Sequence, residues 1–345
     1  MKKGKISVGI AGLGRSGWDI HARLLEALET KYEITAVFDK DPARMREARE
    51  KFGCESHYTY QALLKNKNVE LVVVAMPSHL HAKYSIDAIN AGQDVVCEKP
   101  MATTLKDADR MIATAKRKRH ILSIFQNRRY APDFRTVQKV INTGVLGRIV
   151  HVRMAWHGFG RRWDWQTLKK YGGGTLNNTC PHAIDQALVI FGESRPKVFC
   201  LRDRTLTLGD ADDHVKIILY GKNAPTVEVE VTAACTYGQD SWLVMGTHGG
   251  LSGTSTSLKW KYFNPKDLPK RIVDERPTPD RSYNRETIPF VEKSWDIEND
   301  KSPGQKGFYL DLYNTIRNGT PLVITPQSVR RQMLVMEQCR QMTPV

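Results

Sequence analysis

The sequence predicts an α/β protein with an N-terminal doubly wound parallel sheet, a Rossmann fold, and a C-terminal α+β domain with a large, mainly antiparallel open sheet. Three observations support this fold class. Residues 1–125 alternate apolar and amphipathic segments, a glycine-rich turn follows the first apolar segment, and residues 126–345 carry strands of alternating polarity before two closing helices. Strands without polar alternation that are separated by helices are typical of a parallel sheet covered on both faces.

The elements of residues 1–125 follow one another as strand and helix. The predicted strands are KISVGIAG, YEITAVFD, VELVVVAM, DVVCEK and HILSIF. The predicted helices lie at SGWDIHARLLEAL, after Asp41, at HAKYSIDAINAG and at DADRMIATAKRK. Asp41 before Pro42 is a good helix start, and Thr104 with Asp107 resembles a capping box.

Residues 126–345 change to a different pattern. A helix at PDFRTVQKVINTG precedes the strand-like runs RIVHVRMAW, HVKIILYG, TVEVEVTAAC, SWLVMGTHGGLSG and LKWKYF, with one helix near 181–191. Two helices close the chain, and Thr325 before Pro326 is the start signal of the last. Residues 263–304 are expected to form a loop or a partner-contacting excursion. This pattern indicates an antiparallel sheet with one face on helices.

Size, composition and charge limit the function classes. The chain has 345 residues, of which 41% are hydrophobic and 26% charged, and its formal net charge is +15. The six cysteines form no CxxC pair, so free thiols in a cytoplasmic enzyme are expected. No segment approaches the roughly 18 apolar residues of a membrane span, so no membrane partner is predicted. The basic residues form no aromatic-interleaved stripe, so no nucleic-acid partner is predicted either, and an anionic small ligand accounts for part of the charge.

The motif GLGRSG, residues 12–17, matches the dinucleotide fingerprint. Gly12 permits the tight turn, Gly14 lets the backbone approach a pyrophosphate, and Gly17 permits close packing of the helix on the strand. Asp39 ends the second strand, where a carboxylate accepts hydrogen bonds from ribose hydroxyls and repels a 2′-phosphate. NAD is therefore the predicted cofactor. An ordinary βαβ turn is the alternative interpretation, and NADP is kept as the second cofactor because of the cations Lys40 and Arg44.

Two further segments carry candidate catalytic residues. Lys99 belongs to the tripeptide EKP after the strand DVVC, at a sheet edge where doubly wound folds bind ligands. It can donate to a substrate oxygen or hold the nicotinamide ribose, or it can be a surface lysine paired with Glu98. His182 lies in GGGTLNNTCPHAIDQ, residues 172–186, and is a candidate proton-transfer group.

With the segments 76–104, 126–134 and 172–188, these motifs resemble the Gfo/Idh/MocA family, which includes glucose–fructose oxidoreductase and inositol dehydrogenase. The resemblance implies an NAD(P)-dependent oxidation of a secondary alcohol of a sugar, inositol or sugar derivative, or the reverse reduction. It also implies a homodimer or homotetramer that associates through the C-terminal sheet.

The resemblance assigns roles to individual residues. Lys99 and His182 are the implied catalytic residues. The cofactor-binding residues already named are Gly12, Gly14, Gly17, Asp39, Lys40, Arg44 and Lys99. The resemblance adds Arg15, Ser16, Met76, Pro77, Ser78, His81, Glu98, Gln126, Asn127 and Arg128.

The substrate pocket is expected to use an aromatic and basic set, since tryptophans stack on sugar faces and arginines clamp hydroxyls or carboxylates. A loop anchored by apolar packing with solvated arginines is the alternative. Beside Lys99 and His182, the predicted substrate-binding residues are Tyr130, Trp156, His157, Arg161, Arg162, Trp163 and Asn178.

Asn178 departs from the family pattern, which commonly has an aspartate four residues before the histidine. An asparagine orients hydrogen bonds but carries no charge. Asp185, one helical turn after His182, either substitutes for that carboxylate or anchors the helix. A catalytically degenerate NAD(P)-binding sensor of the same fold is therefore the alternative function. Cys180 and the nearby histidines form no recognisable zinc arrangement, so no metal is predicted.

Overall fold

The computed structural model describes residues 4–278 and 281–343. Within these ranges six parallel strands form the N-terminal sheet, in the order β3-β2-β1-β4-β5-β6. They are β1 Ile6–Ala11, β2 Tyr32–Phe38, β3 Glu55–His57, β4 Leu71–Val74, β5 Asp94–Cys97 and β6 Leu122–Ile124. The strand order reverses between β1 and β4, and the crevice at such a switch point is where open α/β sheets bind ligands.

Helices cover both faces of this sheet. They are α1 Arg23–Glu26, which continues a π-helical segment Ser16–Ala22, α2 Pro42–Phe52, α3 Tyr60–Lys65, α4 His81–Asn90 and α5 Leu105–Lys118. The Asp41 side chain accepts from the amide of Ala43, and the Thr104 hydroxyl accepts from the amide of Asp107 at 3.1 Å. Both predicted helix starts are confirmed.

Eight strands of the described residues form the second sheet, in the order β14-β13-β12-β11-β7-β10-β9-β8. They are β7 Ile149–His157, β8 Lys197–Asp203, β9 His214–Tyr220, β10 Thr226–Thr232, β11 Trp242–Gly246, β12 Gly249–Gly253, β13 Ser257–Tyr262 and β14 Val291–Asp296. The central pair β7 and β10 is parallel, and the other neighbouring pairs in the described sheet are antiparallel. The predicted fold class is confirmed.

Helices lie against one face of the second sheet. They are α6 Pro132–Asn142, α7 Thr175–Asn178, α8 Cys180–Phe191 and α10 Pro326–Met342. Helix α9, Lys306–Asn318, lies against the N-terminal sheet instead, where Tyr309 packs on Tyr32 of β2. Short 3₁₀ turns lie at Ser78–Leu80, Asn127–Tyr130, Trp165–Thr167, Lys169–Tyr171, Pro265–Asp267 and Ile297–Asn299. Along β8 Val198 and Cys200 are buried while Phe199 and Leu201 are exposed, so the opposite face of the sheet is open.

The closing helices also pack on the N-terminal sheet and its helices. Arg317 of α9 pairs with Glu70 at 2.9 Å, and Tyr32 of β2 donates a 2.7 Å hydrogen bond to the carbonyl of Tyr309. Arg330 of α10 pairs with Asp109 of α5. The end of the chain therefore joins the two sheets.

The expected loop over 263–304 needs correction, because β14 lies inside it. β14 pairs with β13 along its whole length, with Trp295 opposite Leu258. Its sequence VEKSWD is mostly exposed at the sheet edge, so it lacks the alternation that marks a half-buried strand. Among the helices of the described ranges, none has the length and apolar character needed to cross a membrane.

Candidate active site

The fingerprint turn after β1 is shaped by contacts that only glycine permits. Gly12 has φ of 96°, and a Cβ there would lie 2.5 Å from the carbonyl oxygen of Ala75. A Cβ on Gly17 would lie 1.8 Å from the carbonyl oxygen of Gly12. A Cβ on Gly14 would meet only Arg44 Nη1, at 3.8 Å, so the backbone there is open to a ligand. This cradle suits a pyrophosphate at a helix N-terminus.

Asp39 is held beside that turn. Its Oδ2 accepts from the amide of Leu13 at 2.6 Å, and its Oδ1 accepts from the amide of Asp41 at 2.9 Å. Arg44 of α2 lies 3.8 Å from Oδ2. The carboxylate is therefore oriented at the carboxyl end of β2, where a ribose would lie, with one cation nearby.

A groove of about 790 Å³ runs along the carboxyl ends of the parallel strands. The predicted cofactor residues in its wall are Gly12, Gly14, Arg15, Ser16, Asp39, Lys40, Arg44, Met76, Pro77, Ser78, His81, Glu98 and Lys99. Gly17 lies beneath the turn rather than in the wall. His81 is buried, and its ring nitrogens lie 2.8 Å from the carbonyl oxygen of Met76 and 2.7 Å from that of Pro100.

The opposite wall of the groove comes from residues 164–178, which follow the N-terminal sheet in the chain. It contains Asp164, Trp165, Gln166, Tyr171 and Asn178. The sequence indicated this loop through Trp163, but Trp163 is 77% exposed and Trp165 is the tryptophan in the wall. Neighbouring side chains in a loop differ in direction, and sequence pattern does not predict which one faces a groove.

A second cavity of about 700 Å³ adjoins the groove. Arg15, Ser16, Glu98, Lys99 and Asn178 line both spaces, so they mark the junction. The other residues in its wall are Asp19, Ile20, Arg23, Leu24, Phe125, Asn127, Arg128, Trp156, Thr179, His182, Gln305 and Lys306. The structure thus places Lys99 and His182 in the wall of one cavity, at the end of the groove.

Lys99 is directed across the junction. Its Nζ donates a 2.7 Å hydrogen bond to the main-chain carbonyl of Asn178 and lies 3.4 Å from Oδ1 of the same residue. Burial lowers the pKa of Lys99, and the charges of Arg15, Arg128 and Arg162 lower it further against the opposing effect of Glu98. The ammonium is therefore more acidic than a solvated lysine.

Glu98 does not form the surface pair that was the alternative for Lys99. It is 5% exposed, its Oε1 lies 3.2 Å from His21 Nε2, and its Oε2 accepts from the main-chain amide of Lys99 at 2.9 Å. Burial raises the pKa of Glu98, but the hydrogen bond and charge of His21 and the charge of Lys99 outweigh it and bring the pKa to about 2. Glu98 is thus a buried carboxylate that supports the lysine from behind.

His182 lies in the first turn of α8 and is oriented by two glutamines. Its Nδ1 lies 3.2 Å from Gln126 Oε1, while Gln126 Nε2 donates at 2.7 Å to Gln332 Oε1. Gln332 in turn donates to the Sδ of Met336 at 3.6 Å. Because Gln126 uses its amide group on Gln332, its oxygen faces His182 and Nδ1 must carry the proton. Burial lowers the pKa of His182 well below its ordinary value, as does the charge of Lys99, so Nε2 keeps a lone pair at neutral pH.

Asn178 uses all of its polar atoms. Its carbonyl and Oδ1 face Lys99, and its Nδ2 donates at 3.2 Å to Gln166 Oε1, which also accepts from Arg162 at 2.7 Å. An aspartate could not donate to Gln166. The amide therefore links the lysine to the loop that forms the opposite wall of the groove.

The remaining predicted residues lie elsewhere. Asp185 forms a two-point pair with Arg129 at 2.6 and 2.7 Å, so it anchors α8 and does not serve His182. Tyr130 donates to Asp311 at 2.7 Å. His157 lies on the open side of the sheet, with its Nε2 3.4 Å from Glu230 Oε1. Neighbouring residues of a strand point to opposite faces, and Trp156 faces the cavity, so His157 does not.

Further predicted residues are placed differently by the structure. Arg162 pairs with Asp164 at 2.8 Å, and Arg161 is exposed; neither is in the wall of the two spaces. Gln126 is buried behind His182, while Asn127 and Arg128 line the second cavity rather than the groove. In the described ranges, no three side chains among His, Cys, Asp and Glu are grouped so that they could hold a metal ion.

Two sequence profiles match the chain. The oxidoreductase family profile with an NAD-binding Rossmann fold matches residues 6–126, and the GFO/IDH/MocA C-terminal domain matches residues 134–252. The chain belongs to the Gfo/Idh/MocA family. Residues 6–126 match the NAD-binding Rossmann domain, which agrees with the cradle at Gly12 and Gly14.

Similar proteins are known from both sequence and structure. An uncharacterized oxidoreductase of Schizosaccharomyces pombe is 34% identical over 62% of this chain, and the match spans 60% of that relative's length. The scyllo-inositol 2-dehydrogenase (NADP(+)) IolW of Bacillus subtilis is 28% identical over 93% of this chain and 89% of its own. The WlbA dehydrogenase of Bordetella pertussis, solved with NADH and UDP-GlcNAcA, has a TM-score of 0.79 at 20% identity, covering 99% and 96% of the two chains.

Proposed function

We propose that this protein is an NAD(P)-dependent dehydrogenase that oxidises a secondary alcohol of a sugar, inositol or sugar derivative, or catalyses the reverse reduction. The observation that carries the proposal is the position of Lys99 and His182, which line one cavity where it meets the NAD-binding groove. The inositol dehydrogenase relative and the structural neighbour with bound NADH support the same class of reaction.

The groove suits NAD on its own chemistry. The open backbone at Gly14 and the helix N-terminus at Ser16 would hold the pyrophosphate, and Asp39 would accept from the adenosine ribose. When bound, nicotinamide supplies the hydride acceptor of the reaction. Asp39 favours NAD over NADP by charge repulsion, whereas Arg44 at 3.8 Å reduces that repulsion.

His182 is the proposed base for alcohol oxidation. Nε2 takes the hydroxyl proton of the substrate, and the resulting imidazolium keeps its second proton on Nδ1, where Gln126 Oε1 accepts it. The lowered pKa of His182 leaves Nε2 unprotonated at neutral pH, so the base is ready before substrate binds. In ketone reduction the same nitrogen returns the proton.

Lys99 is the proposed electrostatic partner of His182. As the hydroxyl proton leaves, negative charge develops on the substrate oxygen, and a fixed ammonium stabilises that charge. The bond from Nζ to the Asn178 carbonyl orients the lysine without neutralising its charge. A neutral amide in place of the family aspartate is therefore compatible with this role.

The experiment is a substrate screen. NADH and NADPH formation is measured with inositols, sugars, uronates and glycosides, and the reverse reaction with ketoglycosides. On any substrate found, Lys99→Met and His182→Ala should each lower kcat/KM by about 10²- to 10⁴-fold, while NADH binding by fluorescence persists. Lys106→Met, an exposed lysine of α5, is the matched control. Near-wild-type turnover in both variants would refute the assignment.

A cofactor-binding sensor is the second candidate function, because Asn178 removes a charge from the site. It predicts tight NADH binding with no turnover of any compound in the screen. The same titration and screen therefore separate the two functions.

We also propose that the chain forms a homodimer or homotetramer through the open face of its second sheet. Phe199 and Leu201 of β8 and Met245 of β11 are each between 46% and 49% exposed there. Leu201→Glu should shift the mass measured by light scattering toward the monomer, and Leu208→Glu, in an exposed loop, should not. A monomeric wild-type protein would contradict this assembly.

A further inference from the structure

The second cavity carries more positive charge than an uncharged substrate requires. Arg15, Arg128 and Lys306 line it together with Lys99. Over residues 4–278 and 281–343, the side chains of Arg15, Arg128 and Lys306 have neither an ion pair nor a hydrogen bond to another group. These cations come from the fingerprint turn, the Asn127–Tyr130 turn and the start of α9.

The acidic groups near the cavity are already engaged. Asp19 pairs with Arg23 at 3.0 Å, and Glu98 lies 3.2 Å from His21. Asp133 accepts from Trp242 Nε1 at 2.9 Å, and burial raises its pKa although that hydrogen bond and the charge of Arg128 oppose the change. None of the three forms an ion pair with Arg128 or Lys306 within the described part of the chain. The net charge of this wall is therefore positive.

The three unpaired cations are not equivalent. Arg15 lines the NAD groove as well as the second cavity, so a pyrophosphate can engage it. Arg128 and Lys306 line the second cavity and not the groove. Both are exposed residues of the cavity wall, and neither forms an ion pair with a described acidic group.

From this placement we infer that the substrate of the proposed reaction carries an anionic substituent, a carboxylate or a phosphate, which Arg128 and Lys306 bind while the reacting carbinol lies at Lys99 and His182. The inference rests on the proposed function for the position of the carbinol. An arginine fork binds a carboxylate or phosphate through two parallel hydrogen bonds, and a lysine adds a point charge. The expected anion clamp at Arg161 and Arg162 is replaced by these two residues, since Arg162 is bound to Asp164.

Binding measurements test the inference without relying on turnover. Calorimetric titrations of the NADH-bound protein use glucuronate, glucose 6-phosphate, glucose and myo-inositol as probes. At least one anion should bind about tenfold or more tightly than the neutral probes, and Arg128→Gln should reduce that preference by about 10- to 100-fold, the usual effect of losing a charge-assisted hydrogen bond. Whether glucuronate or glucose 6-phosphate binds better distinguishes carboxylate from phosphate.

Controls keep the result specific. Lys222→Gln removes one exposed charge from the turn between β9 and β10 and should leave the preference for anions unchanged. Arg128→Lys should restore part of it, and Lys306→Gln should lower it independently. Thermal unfolding and NADH titration show whether each variant is folded. Equal binding of glucose and both anions, or an equal loss for all probes in Arg128→Gln, would overturn the inference.

Turnover separates this inference from the proposed function. Anion-selective binding with no hydride transfer to any compound would refute the dehydrogenase and leave the anion site standing. Efficient turnover of neutral polyols with no gain from an anionic group would support the dehydrogenase and overturn the anion site.

Discussion

The Lys99 ammonium donates a 2.7 Å hydrogen bond to the main-chain carbonyl of Asn178, a residue 79 positions further along the chain. This bond joins the carboxyl end of β5 to α7 and holds the lysine where the NAD groove meets the second cavity. The closest described acceptor for the ammonium is therefore a backbone carbonyl, which every residue type provides. A side-chain carboxylate at position 178 is not needed to orient the lysine.

The lowered pKa values of His182 and Lys99 predict the pH profile of alcohol oxidation. In the proposed reaction His182 acts as a base only when it is unprotonated, and its pKa is well below the ordinary value of 6.5, so the acid fall of kcat/KM should lie well below pH 6.5. Lys99 acts when protonated, so the alkaline fall should begin below 10.5. Burial is the main cause of the lowered pKa of His182; the charges of Lys99 and Arg128 lower it further, and the charge of Glu98 opposes them. The measurement is the initial rate from about pH 4 to about pH 11. An acid limb at or above pH 6.5 would contradict the lowered pKa of His182.

Asn178→Asp introduces a carboxylate beside Lys99, whose Nζ lies 3.4 Å from the present Oδ1. An opposite charge at this distance should raise the pKa of the lysine by about one unit or more, moving the alkaline limb upward. The loss of the donor to Gln166 should lower the free energy of unfolding by about 1 kcal/mol. Asn177→Asp, on the same helix but outside the two cavity walls, is the control. An unshifted alkaline limb would show that position 178 does not influence Lys99.

Gln332 is predicted to be a positioning residue that acts on His182 through Gln126. In Gln332→Leu, Gln126 loses the acceptor that directs its amide, so His182 loses the fixed proton on Nδ1. We expect kcat to fall about tenfold or more with a smaller change in KM. Nitrogen NMR of labelled histidine should show the Nδ1–H tautomer in the wild type and a mixture in the variant. Gln341→Leu on the same helix is the control, and an unchanged tautomer would exclude this role.

Asp39→Asn should change the choice of cofactor. The substitution keeps one oxygen that can accept from the Leu13 amide, gives up the acceptor for the Asp41 amide, and removes the charge that repels a 2′-phosphate. We expect the ratio of kcat/KM for NAD over NADP to fall by at least about tenfold, equivalent to about 1.4 kcal/mol, with Arg44 binding the added phosphate. Asp107→Asn, which removes a carboxylate of α5 outside the groove wall, should leave the ratio unchanged. The same ratio in both variants would contradict the assignment of Asp39.

The cofactor half of the site was predictable because its residues come from contiguous turns. Gly12, Gly14 and Ser16 lie in one turn, and Asp39 ends the next strand, so local pattern and strand order suffice to bring them together. Lys99 was placed at the sheet edge for the same reason. Each of these residues follows a buried apolar strand that the sequence marks clearly.

The substrate half was predicted less well because it depends on packing between distant segments. Gln126 contacts Gln332 across 206 positions, and a polar residue inside a helix has no periodic signal that reveals its partner. Lys306 likewise starts a helix far from Arg128 in sequence. His157 was grouped with Trp156 as neighbours in sequence, yet strand geometry turns them to opposite faces.

The most direct test of the central claim is a crystal structure of the protein with NAD and an alcohol that it oxidises. We predict that Lys99 Nζ and His182 Nε2 both lie within about 3.2 Å of the same substrate oxygen, with nicotinamide on the other side of the carbinol carbon. A complex in which either group faces away from that oxygen, or in which the groove between Asp39 and Lys99 does not hold the cofactor, would contradict the account.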